Sequence, residues 1–149
     1  MVWNFLDLIH RQLMLEAPQD VQTMRFNTNQ PHIVAGGLYD GKVVIWEFMK
    51  AEALISNAKT TTVKRNHDEP RKKVPIVKPL HVSYIDAGHR RPISDLEWLP
   101  ATQEVSNRGH VTISSEGSIN QFVTIAGDGQ ICFWDLRFEE AKYRGFFRS

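Results

Sequence analysis

The chain has 149 residues, enough for about one domain, and 42% of them are hydrophobic, which can support a core. Eighteen Lys and Arg stand against 17 Asp and Glu, a net charge of +1, so no global field marks a nucleic-acid or membrane-surface protein. The single Cys132, set between Ile131 and Phe133, cannot close an internal disulfide; it fits a reducing compartment and reads as a packing residue.

No stretch approaches the ~20 apolar residues of a membrane span. Asp7, His10, Arg11 and Glu16 break any apolar signal core near the start. A soluble protein of the cytosol, or of a compartment continuous with it, is expected. In chain order, Val2-Trp3-Asn4-Phe5 reads as the end of a strand that begins ahead of it, and Met1 as an internal methionine of a longer protein or a late start. Leu13, Leu15 and Ala17 alternate with Met14 and Glu16, which predicts a short outer strand ended by Pro18. Val21 to Phe26 alternates as a half-buried strand, and residues 27–31 (Asn-Thr-Asn-Gln-Pro) form a turn cluster. His32 to Gly36 is a second strand, with small residues at Ala35-Gly36-Gly37 where backbones pack closely. Asp40-Gly41 is a hairpin turn, since Gly reaches φ > 0 without a steric cost, and Lys42 to Phe48 is a third strand.

The pattern then breaks. Ala51-Glu52-Ala53-Leu54-Ile55 can make a helical turn or two, and from Lys59 to Lys78 the chain is basic and punctuated by Pro70, Pro75 and Pro79. This predicts an insertion loop over residues 49–87. It could meet acidic protein tails or nucleic acid, but it lacks the interleaved aromatics of a stacking platform, and a solvated loop is the expectation. Past Gly88-His89 the pattern resumes. Ile93, Asp95 and Glu97 alternate with Ser94, Leu96 and Trp98 until Pro100. Residues 101–121 read as a long polar loop, Phe122 to Ala126 as a strand, Gly127-Asp128-Gly129 as a turn and Gln130 to Leu136 as a strand. Residues 138–149, with Tyr143, Phe146 and Phe147, read either as the start of an outer strand or as a divergent end.

One phrase recurs through these elements. Val2-Trp3-Asn4-Phe5, Ile45-Trp46-Glu47-Phe48 and Phe133-Trp134-Asp135-Leu136 share the order apolar, Trp, acid or amide, apolar. Asp40-Gly41 and Asp128-Gly129 precede their Trp at the same distance, and Trp3 and Trp46 are spaced by one ~40–45-residue WD-repeat period. The unit is a tight turn and a strand ending on a buried aromatic. This predicts an all-β fold, a partial WD-repeat β-propeller of antiparallel four-stranded blades. Residues 1–5 end a preceding blade, 6–48 form a blade, 88–137 form a blade with a long internal loop, and 138–149 are a tail. The resemblance to WD repeats implies that in the later blade His89, Thr124, Asp128 and Trp134 join in one buried polar network, the structural alternative to a catalytic His89–Asp128 pair, with Gly129 and Asp135 completing the turn and the Trp-Asp pair. The earlier blade has Asp40, Gly41 and Trp46 but no Gly-His pair ahead of Val21, and His10 is poorly placed to supply one. Two or three blades leave edges and faces open, so the isolated chain is expected to be marginally stable or to aggregate.

No enzymatic constellation competes with this reading. The six His show no metal-ligand spacing, and neither Gly-x-Gly-x-x-Gly nor Gly-x-Ser-x-Gly occurs. No catalysis, no cofactor, no small-molecule substrate and no membrane are expected.

The longer wording of residues 90–100 (Arg-Arg-Pro-Ile-Ser-Asp-Leu-Glu-Trp-Leu-Pro), of residues 121–137 and of residues 29–46 resembles the WD-repeat intermediate chains of axonemal dynein, and is closest to their inner-arm type. The resemblance covers roughly residues 1–138. It implies a scaffold of the axoneme that helps anchor a dynein heavy chain, with other dynein intermediate or light chains as further partners, and so supports microtubule-based ciliary movement. Family members bind light chains through an N-terminal extension that no residue here matches. Two alternatives stand beside it. One is a WD-repeat adaptor of an unrelated complex; the other is a nucleic-acid-associated protein using the basic loop, which steep loss of binding with salt would mark.

Overall fold

The structure is a computed structural model that describes residues 2–6, 12–49, 76–137 and 145–147. It is a partial WD-repeat propeller built almost wholly of strands. Strands β1 (Val2–Leu6) and β2 (Gln12–Glu16) are an antiparallel pair in which Trp3 faces Leu15 across the ladder. The first complete blade contains β3 (Val21–Phe26), β4 (Ile33–Leu38), β5 (Val43–Glu47) and, after an excursion, β7 (His81–Val82), hydrogen-bonded in that order. The second contains β8 (Ile93–Trp98), β11 (Gln121–Ala126), β12 (Ile131–Asp135) and β13 (Gly145–Phe147). Thus the C-terminal residues 145–147 supply an outer strand, with Cys132 opposite Phe146.

Three features depart from the expected plan. The insertion lies outside the described residues as far as residue 75, as do the helical turn at residues 51–55 and His10. Its exit is ordered: β6 (Ile76–Val77) pairs parallel to β2, with Leu15 opposite Val77, before the chain crosses to β5 as β7. Parallel pairing within a propeller of antiparallel blades has no local sequence signal. Second, the loop of residues 101–121 holds a hairpin, β9 (Gln103–Val105) and β10 (Val111–Ile113), turned at Gly109 with φ of 83°. Third, β8 does not alternate strictly. A bulge places Ile93 opposite Ala126 and Asp95 opposite Ile125, so Ile93, Leu96 and Trp98 all point inward.

The core forms two layers, one on each side of the first blade. Along β4 and β5 successive side chains go to opposite faces. Val34, Leu38, Val44, Trp46 and Phe48 of the first blade pack with Leu15, Ala17 and Val77 of the preceding sheet side. Ala35, Val43 and Ile45 pack with Ile93, Leu96, Trp98, Phe122, Cys132 and Trp134 of the second blade. The paired glycines of β4 follow from this squeeze. A Cβ on Gly36 would meet the Trp46 ring, and one on Gly37 would meet Ile93. In the second blade, the register sets Phe122 opposite both Trp98 and Trp134. Their ring centroids lie 5.0 and 6.2 Å apart, an aromatic ladder across three strands.

Candidate functional site

The residues marked out by the repeat divide between the two blades. In the second blade, the loop into β8 carries His89, the middle of β11 carries Thr124, the β11–β12 turn carries Asp128, and β12 carries Trp134. These four meet. The His89 ring is buried, with Nδ1 3.1 Å from Asp128 Oδ1 and Nε2 2.8 Å from Thr124 Oγ1. Trp134 Nε1 donates to Thr124 Oγ1 at 2.9 Å. Indole N–H can only donate and the carboxylate can only accept, and with a neutral imidazole these two ends set the direction of the whole chain. Trp134 donates to Thr124, Thr124 donates to His89 Nε2, and His89 Nδ1–H donates to Asp128. Every buried polar atom in the line has a partner, as burial demands.

Asp128 is held from the backbone as well. The N–H groups of Arg90 and Gln130 donate to it at 2.9 and 3.1 Å. Burial pushes its carboxyl up, but these two N–H groups and His89 together outweigh that, and it lies below its usual range. Cys132 is in the same pocket, with Sγ 4.0 Å from His89 Nδ1. Burial, with the Asp128 charge beside it, pushes the thiol up to about 11, so it stays protonated and inert at neutral pH. The geometry is that of a clamp: a buried imidazole with both nitrogens engaged has no face to offer a substrate.

The first blade solves the same problem differently. Trp46 is fully buried, and its Nε1 donates to the carbonyl of Glu16 at 2.8 Å, in the preceding sheet side rather than in its own blade. Asp40 accepts from the N–H of Lys42 at 3.2 Å and pairs with the Lys42 ammonium at 3.0 Å. Gly41 has φ of 85°, and its carbonyl oxygen accepts the N–H of His89 at 2.9 Å. A Cβ there would collide with the His89 carbonyl, and a Cβ on the facing Gly88 would collide with the Gly41 carbonyl. The turn of one blade is thereby locked to the loop that starts the network of the next. Gly129 has φ of 73° with open space around it. The Trp3 side chain lies outside the described residues.

Asp135 belongs to a second cluster. Arg137 grips it through Nε and Nη2 at 3.0 and 2.7 Å, and reaches Glu104 of β9 through Nη1 and Nη2 at 3.1 and 3.0 Å. Gln121 donates to the same carboxylate at 2.9 Å. Burial raises the Asp135 carboxyl, but Arg137 and Gln121 bring it below its usual range, and Asp135 in turn holds the Arg137 guanidinium above its ordinary value. Sequence reasoning missed Gln121, Glu104 and Arg137, and it missed Asn27. Asn27 is fully buried; its Nδ2 donates to the Ile119 carbonyl at 2.7 Å, and its Oδ1 accepts the N–H groups of Asn29 and Gln30. Asn in a turn cluster is the one signal that could have marked it. A third tryptophan, Trp98, also crosses between blades, donating to the Arg25 carbonyl at 3.0 Å.

Comparison with known proteins agrees with this geometry. The family model for the WD40 domain of dynein axonemal intermediate chain 3 matches residues 1–145. Dynein axonemal intermediate chain 3 of Mus musculus is 37% identical over 145 residues, and that of Homo sapiens is 36% identical over 145 residues. Each match takes in 91% of this chain but 16% of the relative, so the chain spans about a sixth of the length of the curated relatives it matches. Human cytoplasmic dynein 2 intermediate chain 2 is similar at 24% identity over 108 residues, or 71% of this chain. With its turns, tryptophans and blade order in place, the chain belongs to the WD40-domain family of dynein axonemal intermediate chain 3.

Proposed function

We infer that this chain serves as a non-catalytic scaffold of an axonemal inner-arm dynein, where it helps hold a dynein heavy chain and so supports microtubule-based ciliary movement. The observation that carries this reading is the family match along nearly the whole chain. The geometry is in keeping with it. The charged and polar side chains that the repeat singles out are used up in holding blades together, and the one thiol is kept protonated. Family membership also supports association with other components of a dynein complex.

The test is to tag the full-length protein in ciliated cells, release it from axonemes with salt, and identify what co-purifies by mass spectrometry. Dynein heavy chain in near-stoichiometric amount is the expected result, and its identity names the arm. Recovery of another complex with no dynein subunit would overturn the reading.

A further inference from the structure

The connection from the inner strand to the second strand differs most between the blades. In the first blade residues 27–32 suffice; in the second, residues 99–120 build the β9–β10 hairpin. The two edges of that hairpin are treated in opposite ways. On β9 the edge is closed. The N–H of Gln103 donates to the Pro100 carbonyl at 3.1 Å. The N–H of Val105 donates to Gln121 Oε1 at 2.7 Å, and Gln121 Nε2 donates back to the Val105 carbonyl at 3.0 Å, so one side-chain amide stands in for a partner strand. Arg137, between Asp135 and Glu104, ties the same strand to the blade.

On β10 the edge is open. Ser106 N–H donates to the His110 carbonyl at 2.9 Å and Ser114 N–H donates to the Thr102 carbonyl at 3.0 Å, so residues 110 and 114 turn their backbone toward the β9 side. Strand alternation then turns the N–H and C=O of Val111 and Ile113 outward. Among the described residues β10 has β9 as its one strand neighbour. The side chains at this edge are β-branched and apolar, with Val111 64% and Ile113 91% exposed. Natural edge strands are blunted by shortness, by Lys or Pro, or by a bulge; β10, Val-Thr-Ile, is short but carries no charge, Pro or bulge. At its entry stands exposed Arg108, which forms no ion pair among the described residues.

We propose that the β10 edge is a docking site for an extended segment of a partner protein, which adds as a third strand of the hairpin. Its main chain pairs with Val111 and Ile113, its alternate aliphatic side chains cover theirs, and a carboxylate meets Arg108. The anchored β9 side makes this a preorganised template rather than a loop that must be ordered on binding. The site stands independently of heavy-chain binding.

The test uses a displayed library of random heptapeptides selected on the full chain. Selected sequences should alternate aliphatic residues and carry an acid, and the amide protons of Val111 and Ile113 should exchange more slowly when a synthetic copy is bound. Ile113→Pro removes one outward N–H and no internal bond, so the fold should melt as before while the peptide binds at least tenfold more weakly. Arg108→Glu, which leaves the backbone intact, should weaken it severalfold. Selection without alternation, equal binding by Ile113→Pro, unchanged exchange at Val111 and Ile113, or edge-to-edge pairing of two copies in place of peptide binding would each overturn the proposal.

Discussion

The two blades hold the same tryptophan in different ways, and the difference shows what a repeat must keep and what it can trade. In the second blade the Trp134 N–H is satisfied inside the blade, through Thr124, His89 and Asp128. In the first, Trp46 reaches across to the Glu16 carbonyl, and no histidine is involved. Both rings are buried and both N–H groups are bonded, so the requirement is satisfaction of the buried donor, not a particular residue set. The internal route satisfies this tryptophan without the neighbouring blade. The external route makes the blade depend on its neighbour.

The largest effect expected from breaking this contrast is Trp46→Ala. It removes the largest fully buried side chain and should cost about 3–5 kcal/mol of stability, read as a fall in the urea midpoint. Gly41→Ala combines a left-handed φ with a collision against the His89 backbone and should cost more than about 1–3 kcal/mol, the usual penalty for the backbone strain alone. Gly129→Ala meets the φ penalty without the collision and should fall at the low end of that range in the same measurement. Thr124→Val keeps the shape but leaves Trp134 Nε1 and His89 Nε2 unmet, which should cost about 1–3 kcal/mol, and Thr124→Ser should recover most of it.

The smallest effect is with pH. The Asp128 carboxyl is depressed in the fold, so its contribution is present above the ordinary value of 3.8 and is lost as pH falls below it toward the folded value. Melting temperature should therefore drop on acidification below about pH 4, and less steeply in Asp128→Asn, after allowing for Asp135, whose carboxyl is depressed in the same direction. An equal slope in the variant would show that the network carries no ionic component.

How much of this could be read from the chain follows from the range of each interaction. The Asp-Gly turns and the strands ending on Trp are local, so Asp40-Gly41 and Asp128-Gly129 stood out from residue spacing. His89, Thr124, Asp128 and Trp134 could be gathered because a repeat supplies their expected places. Asn27 could not be: its partner, the Ile119 carbonyl, is 92 residues away and lies in a loop with no periodic signal. Gln121 was hidden for a related reason, since an amide acting as a strand partner looks from sequence like any polar strand end. The β9–β10 hairpin read as a loop because three-residue strands are too short for alternation to show. The bulge in β8 reversed the face expected for Ile93 because one inserted residue flips every side chain before it.

The parallel pairing of β6 with β2 has a consequence for how the molecule comes apart. A propeller blade normally resembles one bead of a string, able to loosen with only its two neighbours feeling it. Here the segment 76–82 is a stitch. Its first residues close the edge of the preceding sheet, its last close the edge of the first blade, and Val77 sits in the layer between them with Trp46. Freeing β7 from β5 drags on β6, and freeing β6 uncovers Trp46. The preceding sheet and the first blade are therefore expected to melt as one body.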